Sequence, residues 1–95
     1  MRQEGNIELK TIWKFKLGTM GQSIRYSAPF VKILCIQAQN GEPMVWVEVD
    51  ENLPERLWQF DCVGTGWVFT NDGVYIGTAQ DGNGYVWHYY MSEVN

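Results

Sequence analysis

His88 is the single histidine in a chain of 95 residues, so any Ser-His or Cys-His chemistry must run through it. Such chemistry needs a nucleophile within hydrogen-bond reach of the ring and a third group to orient it. No sequence spacing supplies either partner, and the large residues Val86 and Tyr90 flank His88 at alternate positions. A lone histidine in an aromatic strand reads first as a hydrogen-bonded structural group. Gly64-Thr65-Gly66-Trp67 is the second feature. Two glycines around a threonine let backbone N–H groups converge on an anion, or let two strands approach closely. The segment lacks the helix and the Lys-Ser/Thr pair of a phosphate-binding loop, so it reads as a tight bend or bulge. Gly77-Thr78 is a weaker version of it. Gly64, Thr65, Gly66 and His88 are therefore candidate ligand-binding residues.

Other chemistry finds less support. Glu48, Asp50 and Glu51 stand together at a strand end and could hold a hard cation, but without EF-hand spacing they read as a solvated acidic edge. One histidine and two distant cysteines are too few ligands for a zinc site. No metal and no cofactor is expected. Cys35 and Cys62 have no CxxC spacing and lie in apolar or aromatic stretches, which predicts buried free thiols.

Charge is divided unevenly along the chain. Arg2, Lys10, Lys14, Lys16, Arg25 and Lys32 are six of the seven cations, facing only Glu4 and Glu8 up to position 32. Arg56 then stands alone against nine acids, although the net charge is only −4. Lys14, Lys16 and Arg25 fall at alternating positions beside Trp13, Phe15, Ile24 and Tyr26, which predicts that they project from one sheet face. Such a face either solubilises an edge strand or holds phosphates while rings stack on bases. A pI near 4.8 argues against bulk nucleic acid but leaves room for one small anionic nucleotide.

These residues must be held by strands, because hydrophobicity repeats every second residue. Trp13, Phe15 and Leu17 alternate with Lys14 and Lys16; Val45, Val47 and Val49 with Met44, Trp46 and Glu48; Trp58, Phe60 and Cys62 with Gln59 and Asp61. Val31–Gln39 is nearly all apolar at first, as in a strand covered on both faces. Gly18–Gly21 separates the first two strands at hairpin spacing. Asn40-Gly41, Asn71-Asp72-Gly73 and Asp81-Gly82-Asn83-Gly84 mark further turns. About seven short, mostly antiparallel strands predict an all-β single domain, a small barrel or sandwich, over residues 10–95. Residues 1–9 read as a flexible leader. Met1–Ile7 carries no apolar signal region, and no apolar run approaches a membrane span, so a cytoplasmic protein away from membranes is expected. Open sheet edges predict a homo-oligomer.

Several stretches carry a family resemblance: Lys10-Thr11-Ile12-Trp13-Lys14, Ile33-Leu34-Cys35-Ile36-Gln37-Ala38-Gln39-Asn40-Gly41, Gly64-Thr65-Gly66, Tyr75-Ile76-Gly77-Thr78 and Val86-Trp87-His88. With them the chain resembles a family of small uncharacterised proteins of tailed bacteriophages and prophages. The resemblance implies phage origin, an all-β fold and action in the cytoplasm of an infected bacterium, with no assigned reaction. The expected function is a non-enzymatic accessory binding protein, in one version a sponge for an anionic nucleotide immune signal of the host. A protein–protein interaction or structural role, with a host protein as partner, is the alternative. A small nucleotide-degrading enzyme is the weaker one.

Overall fold

The alternating apolar residues become seven antiparallel strands in the computed structural model, which describes residues 7–95. They are β1 (Lys10–Lys16), β2 (Ser23–Ala28), β3 (Phe30–Gln39), β4 (Glu42–Asp50), β5 (Arg56–Gly64), β6 (Val74–Gln80) and β7 (Val86–Glu93). One sheet has the order β1-β4-β3 and the other β2-β5-β7-β6, so the domain is a β-sandwich rather than a closed barrel.

Period two decides what lies between the layers. Val45, Val47 and Val49 of the central strand β4 are each 0% exposed, while Met44, Trp46, Glu48 and Asp50 point the other way. Burying each valine side chain is worth about 1.5–3 kcal/mol. From the facing sheet come Phe60 and Cys62 of β5 and Trp87, Tyr89 and Met91 of β7, all buried. Aromatic pairs join the layers: Phe15 stacks on Tyr26 at 4.3 Å between centroids, and Phe30 meets Trp58 at 4.9 Å. Phe15 and Phe30 belong to one sheet, Tyr26 and Trp58 to the other.

Asn40-Gly41 behaves as its sequence predicts. Both residues have positive φ, 54° and 78°, and they form the two-residue link between the paired strands β3 and β4. Gly18–Gly21 does not close a hairpin. β1 and β2 lie in different sheets, so this segment carries the chain from one layer to the other.

The same crossing separates the expected basic patch. Lys14 and Lys16 project from the outer face of the β1-β4-β3 sheet, whereas Arg25 projects from the outer face of the other sheet. Alternation gave each residue's face within its strand, but the layer change at residues 17–22 put those faces on opposite sides of the molecule.

β3 also departs from expectation. It is an edge strand, not one covered on both sides, and its register shifts between Phe30 and Lys32 and again between Ile33 and Cys35. Each extra residue resets which side chains face inward. Ile33 and Ile36 pack against the core, while Cys35 and Leu34 are exposed; Leu34 is 41% exposed. Cys62 is buried as predicted, and both thiols are free.

The first six residues of the expected leader lie outside the described residues. Leu9, from its described part, accepts a hydrogen bond from the Glu51 N–H at 3.0 Å, and the Ile7 carbonyl accepts one from the Asn52 side chain. No helix among the described residues is long and apolar enough to cross a membrane.

Candidate functional site

Strand register brings the second half of the predicted site together. Val63 of β5, His88 of β7 and Thr78 of β6 lie side by side on the outer face of the four-stranded sheet. Thr65 follows just beyond the end of β5. His88 is therefore held between two hydroxyls: Thr65 Oγ1 is 2.8 Å from its Nε2, and Thr78 Oγ1 is 2.9 Å from its Nδ1. The Tyr75 hydroxyl is 2.5 Å from Thr78 Oγ1. A neutral imidazole donates from one nitrogen and accepts at the other, and a threonine hydroxyl satisfies either role.

The loop after β5 builds the wall. Gly64 to Trp67 is a β-turn closed by the Trp67 N–H on the Gly64 carbonyl at 3.2 Å, with Gly66 at φ 86° in its third position. That is the position where a type II turn requires positive φ, so the second glycine of the motif has a backbone reason. The first has a packing reason. A Cβ on Gly64 would lie 2.5 Å from Trp67 Cε2, so the indole rests directly on bare backbone. Trp67, Phe69, Tyr75 and Tyr90 then line an open, solvent-facing cavity of about 350 Å³ with Thr65, Thr78 and His88. Ring contacts brace this wall: Phe69 and Tyr75 pack against Tyr90 at 5.4 Å and 5.6 Å.

The arrangement offers hydroxyls, an imidazole and aromatic faces, the usual lining of a small-molecule site. Neither ring nitrogen of His88 has a carboxylate partner among the described residues, so the orienting acid of a hydrolytic triad is not supplied there.

The family described as Domain of unknown function (DUF7352) matches residues 9–95. The chain belongs to this family. No curated protein and no solved structure matches it.

The remaining predicted residues of this DUF7352 domain lie elsewhere. Lys14 Nζ bonds Gln39 Oε1 at 2.7 Å and sits 5.9 Å from the Trp46 ring centroid, and Lys16 pairs with Glu42 at 2.7 Å. Arg25 Nε donates to Gln59 Oε1 at 2.9 Å, on the same outer face as His88 but outside the cavity lining. The acids at the end of β4 do not converge. Glu48 pairs with Lys10, Asp50 accepts from the Leu9 and Asn52 N–H groups, and Glu51 accepts from Thr11. Sequence reasoning placed Tyr90 beside His88 but missed Tyr75, Phe69 and the wall role of Trp67. Only the Gly77-Thr78 pair pointed toward this part of the site.

Asp61 anchors the loop that carries Phe69. It accepts hydrogen bonds from Ser23, Gln59 and Asn71 at 2.5, 2.9 and 2.8 Å. Burial pushes its carboxyl up, but these donors and the nearby Arg25 charge outweigh that and hold it below the ordinary value of 3.8. Asp81 is held low too, chiefly by the Trp87 indole N–H. A depressed folded-state pKa adds stability above the unfolded value and loses it as pH falls through the folded one. Thermal melts between pH 7 and pH 2 should therefore show stability falling below about pH 4. Asp61→Asn should melt lower at pH 7 and show a shallower acid slope; an unchanged slope would remove Asp61 from this account.

Proposed function

We propose that this domain is a non-enzymatic binding protein of phage or prophage origin that holds a small nucleotide-type molecule in the cavity around His88. The observation that carries the reading is His88 fixed between Thr65 and Thr78 in an open, aromatic-lined cavity. Ligand hydroxyls can exchange hydrogen bonds with that chain of side chains while a ring packs on the aromatic faces. The sequence resemblance supports phage origin and action in a bacterial cytoplasm. Within that setting, sequestering a nucleotide signal of host immunity is the version we favour. Lys14 and Lys16 play no part in it, because they lie on the far sheet. Recognition works through ring and hydroxyls more than through phosphate charge.

A thermal-shift series with linear and cyclic nucleotides at low salt tests the proposal. A ligand present at about a hundred times its Kd stabilises by about 2.7 kcal/mol, a shift on the order of 10 °C for a domain of this size. His88→Ala should remove the shift, and Thr78→Val should reduce it at least tenfold in Kd. No shift with any nucleotide would overturn the reading.

One further observation favours a protein partner instead. The outer face of the β1-β4-β3 sheet exposes Ile12, at 61%, together with Leu34 and Cys35 beside Trp46. A stoichiometric partner lost on Ile12→Asp, with His88→Ala neutral, would replace the nucleotide reading by that one.

A further inference from the structure

A second cavity lies directly against the first. Met20, Trp67, Tyr85 and Trp87 line an open cleft of about 360 Å³, and Gly64, Thr65 and Trp67 line both spaces. Each volume is at the low end of small-molecule sites, which span roughly 300–1,000 Å³. Their chemistry differs. The His88 side presents hydroxyls and an imidazole. The Met20 side presents the exposed rings of Trp67 and Tyr85 and a thioether over the buried Trp87, with Trp67 and Trp87 at 5.6 Å and 73° and Tyr85 at 6.0 Å from Trp87.

Met20 is where local sequence and local structure conflict. Met20-Gly21 has φ values of 56° and 81°, and the Gln22 N–H closes the turn on the Thr19 carbonyl at 3.1 Å. Two central residues with positive φ are the signature of a type I′ turn, whose first position favours Asn, Asp or Gly. Asn40 occupies the equivalent position at φ 54° in the β3–β4 turn. Methionine there is strained and stays 68% exposed, so its own burial does not repay the strain. Gly21 is held as well: its added Cβ would meet the Trp67 ring at 3.1 Å. The turn thus rests on the wall shared by the two cavities and sets a flexible, polarizable side chain at the mouth of the apolar one.

We propose that the two cavities form one bipartite site for a nucleoside. The planar base lies in the Met20–Trp67–Tyr85–Trp87 cleft and the pentose hydroxyls meet Thr65, His88 and Thr78. The inference rests on the binding function proposed above and goes further by assigning each half of the ligand. Neither lining includes a lysine or arginine, so phosphate adds little affinity. Stacking is tolerant of base identity, so discrimination between bases is small.

The test uses the full chain, with adenosine, uridine, adenosine 5′-monophosphate and free ribose as probes followed by isothermal titration. Adenosine and its monophosphate should bind within about threefold of each other with little salt dependence, and ribose should bind far more weakly. Met20→Asn should raise the melting temperature of the free protein by about 3 °C, since asparagine suits the turn, while weakening adenosine about tenfold. Tyr85→Ala, a second variant without the turn effect, should also weaken adenosine and leave ribose unchanged. If adenosine binds but neither variant changes its Kd by more than twofold, the assignment of the base to this cleft is overturned and the binding function stands. If neither adenosine nor any nucleotide binds the unaltered chain, both fall.

Discussion

Tyr89→Ala is expected to lower the unfolding free energy by about 3–5 kcal/mol, the loss typical of truncating a large buried aromatic. Tyr89 is 0% exposed in the second layer, and its hydroxyl donates to the Gly18 carbonyl at 2.7 Å. It thereby ties the central strand β7 to the segment that crosses between sheets. With a total stability of about 5–15 kcal/mol for a domain of ordinary size, a change of this size is easily read by urea denaturation. Tyr89→Phe separates the ring from the hydroxyl. It keeps the packing, leaves the Gly18 carbonyl without its donor, and should cost about 1–3 kcal/mol. Alkaline pH gives a second reading of the same group. Burial first, and Cys62 beside it, push the Tyr89 phenol far above its ordinary value of 10.0. The folded chain keeps this proton while the unfolded chain releases it, so the contribution is whole below pH 10 and drains away above it. Tyr89→Phe should flatten that alkaline loss, leaving the parts due to Cys62 and Tyr26, both of which burial also raises. A loss as steep as in the unaltered protein would show that Tyr89 does not govern it.

Gly64→Ala is expected to displace Trp67. The new Cβ would fall 2.5, 2.7 and 2.9 Å from Cε2, Nε1 and Cζ2 of the indole. Overpacking of this kind costs about 1–3 kcal/mol. The larger consequence is functional, because Trp67 walls both cavities. Nucleotide binding should fall by at least a factor of ten, with a red shift in tryptophan emission as the ring enters water. Gly66→Ala is the control. Nothing lies within 4 Å of its added Cβ, so only the positive φ resists the change. It should destabilise by about 1–2 kcal/mol while leaving the emission maximum in place. Equal emission changes in the two variants would mean that the turn, not the bare backbone under the indole, positions the wall.

Strand existence was legible because the sandwich buries one face of most strands. Val45, Val47 and Val49 announce their strand by period alone, and Asn40-Gly41 announces its turn. Layer membership was not legible. Nothing in residues 17–22 distinguishes a hairpin from a crossing, and Met20-Gly21 even forms a turn of hairpin type while the chain changes sheets. The β3 bulges were equally hidden, since no glycine or proline marks Phe30 to Cys35, and Cys35 emerged on the outer face for that reason. His88 and the Gly64-Thr65-Gly66 segment were singled out separately and meet through register. Tyr90 shares the strand and face of His88, but Tyr75 and Phe69 could not be read from spacing, because they arrive from β6 and a loop.

The alternation of the chain between layers bears on how the molecule is assembled in time. Of its five strand pairings, only β3–β4 and β6–β7 join neighbours in sequence; β1–β4, β2–β5 and β5–β7 span intervening elements. Closing short loops is entropically cheap, so these two hairpins, one per sheet, are natural first units of folding. The first two strands can add only after partners made much later have emerged. During synthesis, Trp13, Phe15 and Tyr26 must wait unpaired until β4 and β5 are available, a topology that makes folding slow and early aromatic surface a liability.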